Sequence, residues 1–208
     1  MVNCEGMGIV PPKQIPIRVT PAIMAVAHDA AVSIGEFRKN WQRGATTWER
    51  GLVKGAEMPF VGKVQKHVMP SYVGICGELL FAELVNARLR KRLFIPNTAT
   101  LKRGDGGADF VVCEIPFQIK TRRRQHDQTL IRRVDERKKF VLIHEGVLVV
   151  MWWNGGFDAS FVGWQWVRMI KRKATLCKGR VGGHFNLSLD DKHLLPLGDL
   201  VSEIQSHV

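Results

Sequence analysis

GDGGADFVVCEIPFQIK, residues Gly104 to Lys120, decides how the fold is read. The Gly106-Gly107 pair permits backbone angles closed to other residues and marks a turn. Asp109 opens DFVVC, whose β-branched residues predict a strand. Glu114-Ile115-Pro116 is the expected hairpin connection, and FQIKT the return strand. Side chains alternate along a strand, so Gln118 and Lys120 share a face. A short hairpin puts Asp109 across from Gln118, where both side chains can converge on one ion. Asp105, inside the glycine turn, is read as shaping that turn through its side chain. Glu114 has the parity of 118 and 120 but lies toward the hairpin end, so it joins them only if the hairpin bends.

The flanks extend this pattern. Upstream, residues 72–90 predict a helix with Ile75, Leu79, Ala82, Leu84 and Val85 on a packing face. Glu78 lies in its first turns, where the helix field stabilises a carboxylate; it is also a candidate metal ligand. LFIP, residues 93–96, reads as a short buried strand stopped by proline. Downstream, TRRRQHDQTLIRR supplies Arg122, Arg123, Arg124, Arg132 and Arg133. A charge run is usually a solvated face. This one follows Lys120 directly, which favours phosphate contacts. Within it, Leu130-Ile131 reads as a short strand. GVLVVMWW, residues 146–153, is a continuous apolar run of the length of a buried central strand. Asn154-Gly155-Gly156 then marks a turn, and FVGWQWV reads as a strand at the sheet margin. Trp152, Trp153, Trp164 and Trp166 concentrate here and are read as core filling before base stacking. Residues 168–180 are basic again, and LPLGDLVSEIQSHV closes the chain as a helix.

Residues 1–20 carry Pro11, Pro12 and Pro16 and read as an extended lead-in. A helix is expected from Pro21, with Thr20 as its N-cap. His28 and Asp29 on that helix read as a surface pair. Residues 44–70 are broken by glycines and prolines and read as a basic loop. The expected division is therefore a 1–70 extension with one helix and a basic loop, followed by a 71–208 domain. Four scattered cysteines without a CxxC pair argue against a zinc site or a disulfide framework. No apolar run approaches the length of a membrane span and no leader is evident, so a cytoplasmic protein is expected. The net charge of +12, carried in clusters, points to a polyanionic partner.

Two strand-borne oxygens, a lysine and a basic flank are what metal-dependent phosphodiester hydrolysis needs. Magnesium takes oxygen ligands, and a lysine beside the ion can position the attacking water or stabilise the developing anion. The order helix glutamate, GDGGADF, hairpin, polar-x-Lys resembles the PD-(D/E)XK nuclease superfamily, across residues 72–200. The small phage-type and Holliday-junction-resolvase-like members are the nearest in character. The resemblance implies an α/β restriction-endonuclease-like core: a central mixed sheet flanked by helices, here with an N-terminal helical extension. It implies Asp109, Gln118 and Glu78 as ligands of Mg²⁺ or Mn²⁺, and Lys120 as the catalytic lysine. Gln118 stands where the family most often has Asp or Glu, so the site is either an active variant or a degenerate scaffold. DNA is the expected partner; a symmetric homodimer would suit two nicks and is not fixed by the sequence. The alternatives are a non-catalytic nucleic-acid-binding protein on the same fold and a protein that binds other proteins through its aromatic C-terminal strands.

Overall fold

The computed structural model describes residues 14–41, 56–65, 68–96, 108–123, 128–132, 146–178 and 185–208. At its centre is VLVVMWW, the strand β7 (Val147–Trp153). Five of its first six residues are fully buried, as an uninterrupted apolar run demands of a strand covered on both faces. Around it lie β1 (Ile15–Arg18), β4 (Phe110–Val112), β5 (Ile115–Arg122) and β8 (Asp158–Trp166), in the order β1-β8-β7-β5-β4. The β5–β7 pair is parallel and the other neighbours are antiparallel, so the sheet is mixed. A parallel pair needs a crossover, and residues 123–146 span it. FVGW is thus an interior strand rather than a marginal one, because β1 pairs on its outer side through Ile15↔Phe161 and Ile17↔Ala159.

Helices α1 (Pro21–Trp41), α2 (Met69–Leu89) and α4 (Leu197–His207) cover one face. Thr20 starts α1 as expected: its Oγ1 accepts from the Ile23 N–H at 3.3 Å. Met24, Ala27 and Ala31 are fully buried in the same core as Tyr72, Phe81 and Phe117. The N-terminal segment therefore contributes an edge strand and a helix to the main core. His28 and Asp29 are paired at 3.5 Å, with the His28 ring edge-on to buried Tyr72. Eleven of the 21 residues of α2 are buried, since α1 and the sheet pack on it, while Pro70, Glu83, Ala87 and Arg88 are exposed.

The other sheet face packs α3 (Val167–Lys173) and a second sheet of β6 (Gln128–Arg132), β10 (Phe185–Asp190) and β9 (Thr175–Lys178). Leu148, Val150, Val162, Val167, Ile170, Leu187 and Leu189 form that second core. Trp153 and Trp164 fill the first core, their indole N–H groups donating to Gly156 and Pro196 carbonyls at 2.7 and 2.9 Å. A short hairpin, β2 (Ala56–Met58) with β3 (Gly62–Val64), interrupts the stretch expected to be loop.

Residues 93–96 do not join the sheet. Asn86 takes their backbone groups instead: its Oδ1 accepts from Leu93 and Phe94 N–H at 3.0 and 2.9 Å, and its Nδ2 donates to Phe94 O at 2.7 Å. Phe94 is still fully buried, among Phe81, Phe110 and Phe117. Among the described residues no helix is long and apolar enough to cross a membrane.

Candidate functional site

The candidate site is built on the β4–β5 hairpin. Cys113 and Glu114 form its turn, with φ of 50° and 65°. Two successive left-handed residues give the turn whose twist matches a tight hairpin. The connection falls one residue earlier than expected, Ile115 is already in the strand, and exposed Glu114 is in the turn rather than on the strand face. The register Phe110↔Phe117 brings Asp109 opposite Gln118. Asp109 donates its N–H to Phe117 O at 2.8 Å, and its Oδ2 accepts from Ile119 N–H at 2.5 Å. That carboxylate thus extends the ladder just before β4 begins and is held beside the 118–119 backbone.

Alternation then divides β5. Phe117 and Ile119 enter the core beneath α2. Gln118 and Lys120 point to the opposite face, paired in register with Leu148 and Val150 of the second core. Gln118 is 7% exposed, and its Oε1 is a buried oxygen with no hydrogen-bond partner among the described residues. Such an atom is uncommon in a folded protein. Lys120 is half-buried. Asp109, Gln118 and Lys120 therefore gather on one strand pair.

Glu78 does not share that face. It is half-buried on α2, which packs on the Thr121 side of β5. The contact is close because Gly77 has no side chain: a Cβ there would lie 1.7 Å from Thr121 Oγ1. The helix glutamate and the Gln118–Lys120 face are thus on opposite sides of the sheet, so the structure does not bring Glu78 together with the two hairpin oxygens as expected. α2 also carries Cys76, fully buried, where burial pushes the thiol up to about 12. Burial, with Cys76 nearby, also raises the Tyr72 phenol. Neither group is a nucleophile at neutral pH.

The arginine cluster is similarly divided. Arg122 turns inward: its Nη1 and Nη2 donate to the two carboxylate oxygens of Asp191 at 2.9 and 2.5 Å, with side chains 13% and 8% exposed. The expected phosphate contact at Arg122 is corrected to a buried ion pair that ties β5 to the turn after β10. Arg123 is exposed. Arg132 ends β6 opposite Asn186, but its side chain, with Arg124, Arg133 and Asp105, lies outside the described residues. Sequence reasoning missed Asp191. The available signal was its position, in the first acidic pair after a long acid-free run.

Among the described residues no group of three or more His, Cys, Asp or Glu is placed to hold a metal. The hairpin offers one carboxylate and one amide oxygen. That donor set fits magnesium, which binds through one or two protein oxygens and keeps its remaining places for water and phosphate. No protein-family model, no curated protein and no solved structure matches this chain.

Proposed function

We infer that the protein is a metal-dependent nuclease that hydrolyses DNA phosphodiester bonds, built on a restriction-endonuclease-like core. The observation that carries this reading is the hairpin register: the Asp109 carboxylate opposite a buried Gln118 oxygen that has no hydrogen-bond partner among the described residues, with Lys120 next on the same face. The parallel strand β7 beside β5 and the net charge of +12 support it. Asp109 and Gln118 would hold Mg²⁺ or Mn²⁺, which when bound neutralises phosphate charge and acidifies a water. The Ile119 N–H orients the Asp109 carboxylate. Lys120 positions the attacking water and stabilises the charge that develops on the phosphate. The half-buried position of Lys120 strengthens that interaction over one in bulk water.

One observation favours a second reading, a nucleic-acid-binding protein that does not cut. Asp109 already serves Ile119, and the amide at 118 brings no negative charge. Cleavage of a panel of linear, branched and single-stranded DNA and of RNA, with and without Mg²⁺ or Mn²⁺, separates the two. For the nuclease, Asp109→Asn keeps an oxygen for the Ile119 N–H but abolishes cleavage. Lys120→Gln does the same, and both variants still bind DNA. Parent-like cutting by both variants ends the assignment, and a parent that binds but cuts nothing establishes the second reading.

A further inference from the structure

Residues 159–189 contain no Asp or Glu and six Lys or Arg. Four of those cations fall in the seven residues of α3, VRMIKRK. The inward side of α3 is Val167 and Ile170, fully buried with Leu148 and Val150. Those two strand residues are the register partners of Gln118 and Lys120. α3 therefore lies over the same sheet face as the candidate site. Its outward side is cationic: Arg168 and Arg172, one helical turn apart, and Lys173 are all exposed. Among the described residues none of the three is in an ion pair. The Arg168 guanidinium lies over the Trp166 ring at 5.1 Å, which pre-orients the charge and covers that ring face.

A basic face kept only for solubility has no reason to be free of acids over so long a run or to sit on the site's own face. We propose that the exposed side of α3 grips nucleic-acid backbone phosphates through Arg168, Arg172 and Lys173, independently of base sequence. This rests on the nucleic-acid reading above and adds the surface that holds the substrate. The partner class is a phosphodiester polyanion rather than a base edge, because the cations are solvent-facing and Trp166 already stacks on Arg168.

The test is equilibrium binding of a labelled DNA duplex in EDTA across a salt series. Each phosphate contact contributes about 0.9 to the slope of log affinity against log salt. Arg168→Gln, Arg172→Gln and Lys173→Gln together should flatten that slope by about two to three units and weaken binding. The charge-keeping set Arg168→Lys, Arg172→Lys and Lys173→Arg should retain the slope. A glutamine variant with parental slope and affinity overturns this inference while leaving the nuclease reading intact. A natively melting charge-keeping variant that binds as weakly as the glutamine one overturns it too, since charge then is not what binds. A loss of binding to anionic phosphatidylserine vesicles with DNA binding unchanged would assign α3 to a membrane instead. A parent that binds neither DNA nor RNA sinks both readings together.

Discussion

Asp191→Ala tests whether Arg122 is part of the architecture or part of a phosphate grip. The substitution removes both carboxylate bonds, 2.9 and 2.5 Å long, from a guanidinium whose side chain is only 13% exposed. Breaking one side of a buried ion pair costs about 3–5 kcal/mol, because the remaining charge keeps its desolvation cost and loses its compensation. For a chain of this length about 1 kcal/mol moves the melting midpoint by about 2–4 °C. Asp191→Ala should therefore melt about 6–20 °C below the parent. Replacing the pair by apolar residues, Arg122→Met with Asp191→Leu, removes both charges and should recover most of that loss. A double-mutant cycle by chemical denaturation measures the coupling, expected to exceed about 1 kcal/mol. DNA affinity supplies the second readout. If Arg122 is architectural, the folded double variant binds DNA as the parent does. An Asp191→Ala variant that melts with the parent would refute the reasoning. So would a stable double variant whose affinity falls as far as that of the α3 glutamine variant.

Two further outcomes follow from α2. Gly77→Ala puts a Cβ 1.7 Å from Thr121 Oγ1 and 2.9 Å from Thr121 Cβ, so overpacking of about 1–3 kcal/mol outweighs the gain in helix propensity; Gly74→Ala, with nothing within 4 Å, should be neutral or stabilising. Equal denaturation midpoints for the two alanine variants would show that α2 does not seat on β5 through Gly77. Burial holds the Cys76 thiol protonated up to about 12, against 9.0 for an ordinary thiol, and raises the Tyr72 phenol in the same direction. The folded state thus keeps protons that the unfolded chain releases. Their contribution is full below about pH 9 and is lost as the pH climbs toward 12. Cys76→Ala should flatten the alkaline fall in stability, measured by denaturant midpoints across that range; an unchanged pH slope would count against the burial argument.

What could be read in the sequence was local. The apolar run of β7 announces a doubly covered strand without any partner being known, and the alternation along β5 fixes Gln118 and Lys120 to one face from their spacing alone. The capping of α1 by Thr20 is equally a matter of neighbouring residues. The rest was decided by partners far along the chain. β1 joins the sheet edge only because β8, some 140 residues on, presents its backbone there. Residues 93–96 have strand-like side chains, yet the Asn86 amide captures their backbone groups before a ladder can.

The site divides along the same line. Spacing says that 118 and 120 share a face; it does not say which layer covers that face. That choice falls to bulk and close approach: Phe117, Ile119 and Thr121 meet α2, with Gly77 clearing the way for Thr121, while Leu187 and Leu189 pack against Leu148 and Val150. Once α2 takes the odd-numbered face, Glu78 goes with it. The even-numbered face is then bordered by the hairpin and by the layer above it, which is where α3 presents its cations. The same packing turns Arg122 toward Asp191, 69 residues away, and leaves Arg123 at the surface. Two neighbouring arginines of one basic run thus have different surroundings, and only the layer stacking distinguishes them.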